Sequence, residues 1–222
     1  MLVIISGRVN LTNNQIVTKE AVILANGQFP ESDFCLDILN SGKDIICCDG
    51  SADKIAAFGL KAKVIIGDLD SISPELKKRH PEIIIDKSDQ NSNDLTKAVH
   101  WAKENAYTKV IILGATGIRE DHTIGNIYLL SRYNEIIAVQ MVSDYGIFDV
   151  INSSSVFDSF PGQQVSVFST DQDARFTFAG LKYEVNNRAL HEAWMGTLNE
   201  CTSNSFEINF DKGSAIIYRV FD

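Results

Sequence analysis

Six unbroken apolar runs constrain this chain more than any other feature. AVILA (21–25), DIICC (44–48), KVIIG (63–67), EIIID (82–86), KVIIL (109–113) and EIIAVQMV (135–142) show no alternation of apolar and polar residues. A strand that must hide both faces reads this way, as in a parallel sheet covered by helices on each side. Helical patterns lie between the runs, so the first half reads as repeated parallel β/α units. In SPELKKRHP, Ser73 stands as helix N-cap, Pro74 at the first helical position and Pro81 as a stop. In NDLTKAVHWAKENA, Asn93 stands as cap, and Leu95, Ala98, Val99 and Ala102 recur at helical spacing.

After about Asp144 the rhythm changes. GIFDVI, QQVSVFST, ARFTFAG, LKYEV, FEINF and SAIIYRV are short, rich in β-branched and aromatic residues, and separated by Gly, Asn, Asp and Ser. These predict an antiparallel β-sandwich, with NNRALHEAWMG irregular or briefly helical. The expected fold class is therefore α/β, with a Rossmann-like parallel-sheet domain over residues 1–143 and an antiparallel β-sandwich domain over 144–222, packed directly on each other.

Net charge excludes some partners. The chain has 222 residues, a formal charge of −9 and a pI near 4.9, which argues against nucleic acid or an anionic membrane surface. No apolar run approaches the roughly 20 residues of a membrane helix, and MLVIISGRVN lacks the basic start and long apolar run of a signal peptide. Cys35, Cys47, Cys48 and Cys201 show neither C-x-x-C spacing nor scaffold density. Cys47 and Cys48 would face opposite sides of one strand as small hydrophobes. The expected location is the cytoplasm.

Ligands of open parallel sheets bind at the carboxyl ends of the strands, and the least ordinary residues stand there. DGSADK follows the run ending at Cys48, DLDS the run ending at Gly67, KSDQNSND the run ending at Asp86, and GATGIREDH the run ending at Leu113. Asp68, Asp70 and Asp94 have two readings. Acids at strand ends are ordinary turn formers and caps. Three of them on facing strand ends also match the sparse oxygen ligands with which proteins hold magnesium beside substrate phosphates, and this reading is favoured. Gly114 and Gly117 let backbone approach a ligand, and Arg119 offers a planar fork to phosphate next to a helix start. The P-loop, G-x-G-x-x-G, kinase and nucleophile-elbow motifs are all absent. The residues alone thus read as a magnesium-dependent enzyme acting on a nucleotide or another phosphate ester.

In order, the motifs are Asp49-Gly50-Ser51-Ala52, Gly67-Asp68-Leu69-Asp70-Ser71, Asp89-Gln90 through Asp94 to Lys97-Ala98, and Gly114 through Arg119, Asp121 and His122 to Asn126. Farther on come Gly180-Leu181-Lys182-Tyr183 and Leu198-Asn199-Glu200. This series resembles the thiamine pyrophosphokinase family over nearly the whole chain. The resemblance implies an α/β catalytic domain followed by a thiamine-binding β-sandwich, and a homodimer with sites between subunits. It implies transfer of a pyrophosphoryl group from ATP to the thiamine hydroxyl, with release of AMP. By matching positions it places Mg²⁺ on Asp68, Asp70 and Asp94, and Arg119 and Asp121 at the phosphate end. The nucleotide would lie along Asn26, Gly27, Asp49, Gly50, Lys97, Arg119, His122 and Asn126. Thiamine would meet Gln90 and Asn199, with Tyr183 and Trp194 either stacking on its rings or lying in the sandwich core. Ser51 departs from the family's second glycine, Asn93 from its threonine, and Leu198 from its serine; the nearby Ser203-Asn204 is an alternative to Asn199. A magnesium-dependent nucleotide phosphohydrolase and a non-catalytic thiamine- or nucleotide-binding module are the rival readings.

Overall fold

The computed structural model describes residues 18–88 and 91–221. Five helices and six strands build the first part. The strands are β1 (Glu20–Leu24), β2 (Asp44–Cys48), β3 (Val64–Gly67), β4 (Ile84–Asp86), β5 (Lys109–Leu113) and β6 (Ala138–Ser143). The helices are α1 (Asp33–Leu39), α2 (Ser51–Ala57), α3 (Pro74–Arg79), α4 (Asp94–Glu104) and α5 (Glu120–Ile136). Ser73 and Asn93 cap as expected, accepting the amides of Leu76 and Thr96. Two expectations shift. Pro81 opens a 3-10 turn over Pro81–Ile83, so β4 is only three residues long. Glu135 and Ile136 belong to α5, and β6 starts at Ala138. An apolar run cannot say which of its residues finish a helix and which begin a strand.

Eight further strands follow: β7 (Gly146–Ile151), β8 (Ser155–Asp158), β9 (Gln164–Ser169), β10 (Arg175–Ala179), β11 (Arg188–Ala189), β12 (Asn199–Glu200), β13 (Ser205–Phe210) and β14 (Ala215–Val220). LKYEV forms no strand beyond a single bridge from Leu181 to Cys201. The Ala193–Gly196 segment is one 3-10 turn.

The two rhythms share one sheet. Its order is β12-β9-β14-β7-β6-β5-β1-β2-β3-β4, parallel from β6 to β4 and antiparallel from β6 outward to β12. A tight hairpin between Ser143 and Gly146 joins the halves. A second, four-stranded antiparallel sheet, β11-β10-β13-β8, covers the antiparallel half.

Burial follows this layering. Ile23, Ile46, Ile66 and Ile112 pack on one face with α4 and α5, and Val22, Ile45, Ile65 and Leu113 on the other with α1 and α2. Cys48 and Cys47 divide between those faces, and all four cysteines are free and buried. Val165, Val167, Phe176, Ile208 and Ile217 fill the space between the two sheets. Among the described residues, no helix is long and apolar enough to cross a membrane.

In the parallel part the strand order reverses between β5 and β1. Loops leaving those two strands in opposite directions open a crevice at their carboxyl ends. The site lies there.

Candidate active site

A cleft of about 410 Å³ opens at this crevice. Asn26 and Gly27 after β1, Asp49 after β2, Asp68 and Asp70 after β3, and Asp94 at the start of α4 all line it. Arg119, His122 and Asn126 close the side toward α5. Nine residues expected from the sequence are thus brought together.

Carboxylate oxygens of Asp49, Asp68 and Asp94 lie within 4.8 Å of one another, a spacing a metal ion can bridge. The sequence pattern selected Asp70 for this role and placed Asp49 on the nucleotide. Asp70 lines the same cleft, with one oxygen accepting the Ser71 hydroxyl at 2.8 Å. Asp49 is the buried member: its Oδ2 accepts the Ser71 amide, while Oδ1 is buried with no hydrogen-bond partner. Burial pushes its carboxyl above the usual range, hydrogen bonds from Ser71 and Gly50 partly offset this, and the charge of Asp70 adds to it. A buried acceptor left without a donor, beside two further carboxylates, fits a cation.

Local backbone explains how three acids come so close. Asp49 has φ of 47°, a left-handed turn that Asp tolerates better than most residues and that swings its side chain off the sheet. Gly67 lies between the acids: a Cβ there would stand 3.0 Å from Asp49 Cβ and 3.2 Å from Asp94 Oδ2. Leu69 and Ile118 also have positive φ, so three strained turns border one cleft.

Behind the lining stand the braces. Lys97, 6% exposed, donates to Asp94 Oδ1 at 2.9 Å from one turn along α4. Tyr133 of α5 is buried with its hydroxyl on Thr96, whose own hydroxyl bonds the cap Asn93. Gly50 packs against Ser71, where a Cβ would come within 3.1 Å. Asp121 forms a two-point ion pair with Arg119, which holds its carboxyl down at about 2. Asn126 donates to the Ala115 carbonyl at 2.8 Å and so fixes the glycine loop it was expected to share with the nucleotide. Ser51, the departure from the family's second glycine, is buried and donates to the Leu24 carbonyl at 2.7 Å, away from the cleft.

Two latches escaped sequence reading. Asp53 accepts both the amide and the hydroxyl of Ser73, tying α2 to the exit of the Asp68–Ser71 loop. Lys54 donates to the carbonyls of Asn26 and Gly27. Their only signal was D-K one turn into the helix after Asp49-Gly50, which also suits a solvated surface.

The expected thiamine residues lie elsewhere. Gln90 falls outside the described residues. Asn199 is buried: its Oδ1 accepts the amides of Tyr183 and Glu200, and its Nδ2 donates to the Tyr183 carbonyl. It therefore holds the Tyr183 loop in place. Tyr183 is 61%, Trp194 71% and Leu198 70% exposed, so none of the three is sandwich core. They surround β12, at the far edge of the large sheet from the cleft. Ser203 and Asn204 contribute carbonyls to Ser159.

Comparison with known proteins bears on this arrangement. The family description "Thiamin pyrophosphokinase, catalytic domain" matches residues 35–141, and "Thiamin pyrophosphokinase, substrate-binding domain" matches 146–218. The chain belongs to the thiamine pyrophosphokinase family. Thiamine pyrophosphokinase 1 of Oryza sativa subsp. japonica is 27% identical over 200 residues, spanning 77% of this chain and 75% of that protein. Thiamine pyrophosphokinase of Bacillus subtilis is 29% identical over 174 residues, 70% of this chain and 77% of that protein. A crystal structure of thiamine pyrophosphokinase from Bacillus subtilis shares the fold, with a TM-score of 0.78 at 23% identity over 92% of this chain and 100% of that one. Within this family the cleft-lining acids and the exposed aromatic group fall in different matched regions, Asp49 to Asp94 in the first and Tyr183 and Trp194 in the second.

Proposed function

We infer that this chain transfers a pyrophosphoryl group from ATP to the hydroxyl of thiamine, giving thiamine diphosphate and AMP. The observation that carries this reading is the carboxylate group of Asp49, Asp68 and Asp94, gathered beyond the carboxyl ends of β2 and β3 in a chain of this family. Asp68 and Asp94, with Asp49 and Asp70 on either side, would hold Mg²⁺. When bound, that ion would neutralise phosphate oxygens and orient them for in-line displacement.

The chain's own residues supply positioning and charge. Arg119, squared by Asp121, offers two parallel N–H groups to phosphate at the start of α5, where the helix dipole also favours an anion. Lys97 holds Asp94 aimed into the cleft. Gly27, Gly114 and Gly117 let the loops after β1 and β5 pack on each other as the wall along which the nucleotide would lie. The thiamine oxygen bonds to the β-phosphorus as the bond from that phosphorus to the oxygen bridging it to the α-phosphorus breaks. That oxygen departs on AMP, and the hydroxyl proton passes to solvent or a carboxylate.

A homodimer is the assembly this reading calls for, and the reach of one chain supports it. Five strand spacings of about 4.8 Å separate β12 from β5, on the order of 24 Å. Tyr183, Trp194 and Leu198 therefore meet a cleft best when a second copy brings them. Ile118, Ile124 and Tyr128, all exposed beside the cleft on or next to α5, give that copy an apolar seat. Catalytic and thiamine-binding domains would divide at residues 143 and 144, where the hairpin turns. Free, buried cysteines suit the cytoplasm.

The test is incubation with thiamine, ATP and Mg²⁺ followed by product analysis. Thiamine diphosphate with AMP supports the reading. Phosphate released without thiamine, or ligand binding with no turnover, supports the rivals and overturns it.

A further inference from the structure

We propose that Lys54 is a positioning residue for the nucleotide, fixing the loop after β1 against which the nucleotide lies. This inference rests on the activity above and adds a residue and a role to it.

The loop of Asn26 and Gly27 forms one wall of the crevice, and the amides of Gly27 and Gln28 are already committed. Gly27 N–H donates to the Gly114 carbonyl at 2.8 Å, and Gln28 N–H to the Thr116 carbonyl at 2.9 Å. These bonds stitch the loop after β1 to the loop after β5. A Cβ on Gly27 would come within 2.5 Å of the Gly114 carbonyl oxygen, so the two backbones sit at the closest approach that glycine permits. The carbonyls of Asn26 and Gly27 remain, and Lys54 Nζ takes both, at 3.3 and 2.8 Å. Charged donors make the stronger hydrogen bonds. The loop is therefore held from two sides, by β5 through its amides and by α2 through its carbonyls.

Lys97 and Arg119, the lysine and arginine expected at the site, are already paired, Arg119 with Asp121 and Lys97 with Asp94. Among the described residues Lys54 makes no ion pair, and it is partly buried, which lowers its affinity for a proton. Lys54 thus stands behind the wall of a cleft lined by four aspartates, with Asn26 and Gly27 between it and the opening. Its neighbour Asp53 is occupied by Ser73, so α2 holds both the nucleotide loop and the acidic loop from one turn of helix.

The experiment compares Lys54→Met, Lys54→Gln and Lys54→Arg with the wild type in steady-state assays varying each substrate, together with calorimetric titration of ATP in the absence of thiamine. Losing a charged hydrogen bond predicts about a 10-fold rise in KM and Kd for ATP in Lys54→Met. Its kcat and its KM for thiamine should stay within about twofold. Lys54→Arg should recover most of the ATP affinity, and Lys54→Gln, which keeps a donor without the charge, should fall between. Unchanged ATP affinity in Lys54→Met overturns the proposal, as does an equal rise in both KM values with a lowered Tm. Should Lys54→Met fail to fold, the order of Lys54→Arg, Lys54→Gln and wild type in ATP affinity decides the matter in the same way. A wild type that makes no thiamine diphosphate overturns the functional reading instead, so the two failures are distinct.

Discussion

Replacing Gly67 by alanine tests the acidic cluster with one methyl group. The added Cβ would stand 3.0 Å from Asp49 Cβ, 3.2 Å from Asp94 Oδ2 and 3.3 Å from Asp94 Cγ, against the roughly 3.5–4.0 Å of a relaxed contact. Something must move by about half an ångström. Gly67 cannot, because it pairs with Asp86 on β4 and accepts the Lys87 amide at 2.9 Å. Asp49 is held by its own amide on the Ile66 carbonyl at 3.0 Å. The Asp94 carboxylate, which accepts from the flexible Lys97 side chain, is the group that yields. A misplacement of about 1 Å can lower a rate roughly 100-fold, so half of that predicts about a 10-fold fall in kcat/KM, or about 1.4 kcal/mol of barrier. Overpacking destabilises by about 1–3 kcal/mol, while alanine's stiffer unfolded chain returns about 0.4–1. For a chain of this size Tm should therefore fall by only about 2–6 °C. The assay is thiamine diphosphate formation over a Mg²⁺ titration, with thermal melts in parallel. Wild-type turnover in Gly67→Ala would refute the argument that this glycine exists to bring Asp49 and Asp94 together.

Three further outcomes are expected. Asp70→Asn should abolish most turnover with Tm within about 2 °C of wild type, because its exposed carboxylate contributes little to the fold; near-normal activity would remove Asp70 from the site. Mixing Asp94→Asn subunits with Trp194→Ala subunits should restore about one quarter of wild-type activity, since half of the dimers are mixed and one of their two sites is intact; no recovery after subunit exchange would argue for sites built within one chain. Burial tends to raise the Asp144 carboxyl, but amides of Ser32 and Glu31, each 2.9 Å from Oδ1, bring it below its ordinary 3.8. A lowered folded value stabilises above the unfolded value and is lost as pH falls through the folded one. Asp144→Asn should thus be less stable than wild type at neutral pH by about 0.5 kcal/mol, with the gap closing as pH falls from the ordinary value through the lowered one; a gap independent of pH would assign the effect to packing.

Much of the site was legible because its chemistry stands where strands end. Asp49, Asp68, Asp94 and Arg119 follow apolar runs that can only be buried strands, and one end of a parallel sheet gathers them whatever the exact register. The place of Asp49 beside Asp68 and Asp94 was not legible. Asp49 joins Asp68 and Asp94 through a left-handed turn and the missing Cβ of Gly67, and neither leaves a mark in the spacing of the acids. Asn199 was read as a ligand contact, and the structure puts its amide on the backbone of Tyr183 and Glu200. A buried amide and an exposed one look alike until the neighbouring backbone is known.

By itself the sequence determined the element types, the parallel half and its helical cover, and the end of the sheet at which the acids gather. These follow from unbroken apolar runs, caps and short loops, which act over a few residues at a time. The tertiary structure decided that the antiparallel strands continue the same sheet through β6 and β7, instead of closing a sandwich apart from it. It also set Tyr183 and Trp194 at the opposite edge from Asp94. Pairings such as β14 with β7 and β9 join residues tens of positions apart. Alternation along a strand reports which face is buried, and the choice of neighbour is made only when whole strands compete for one another's edges.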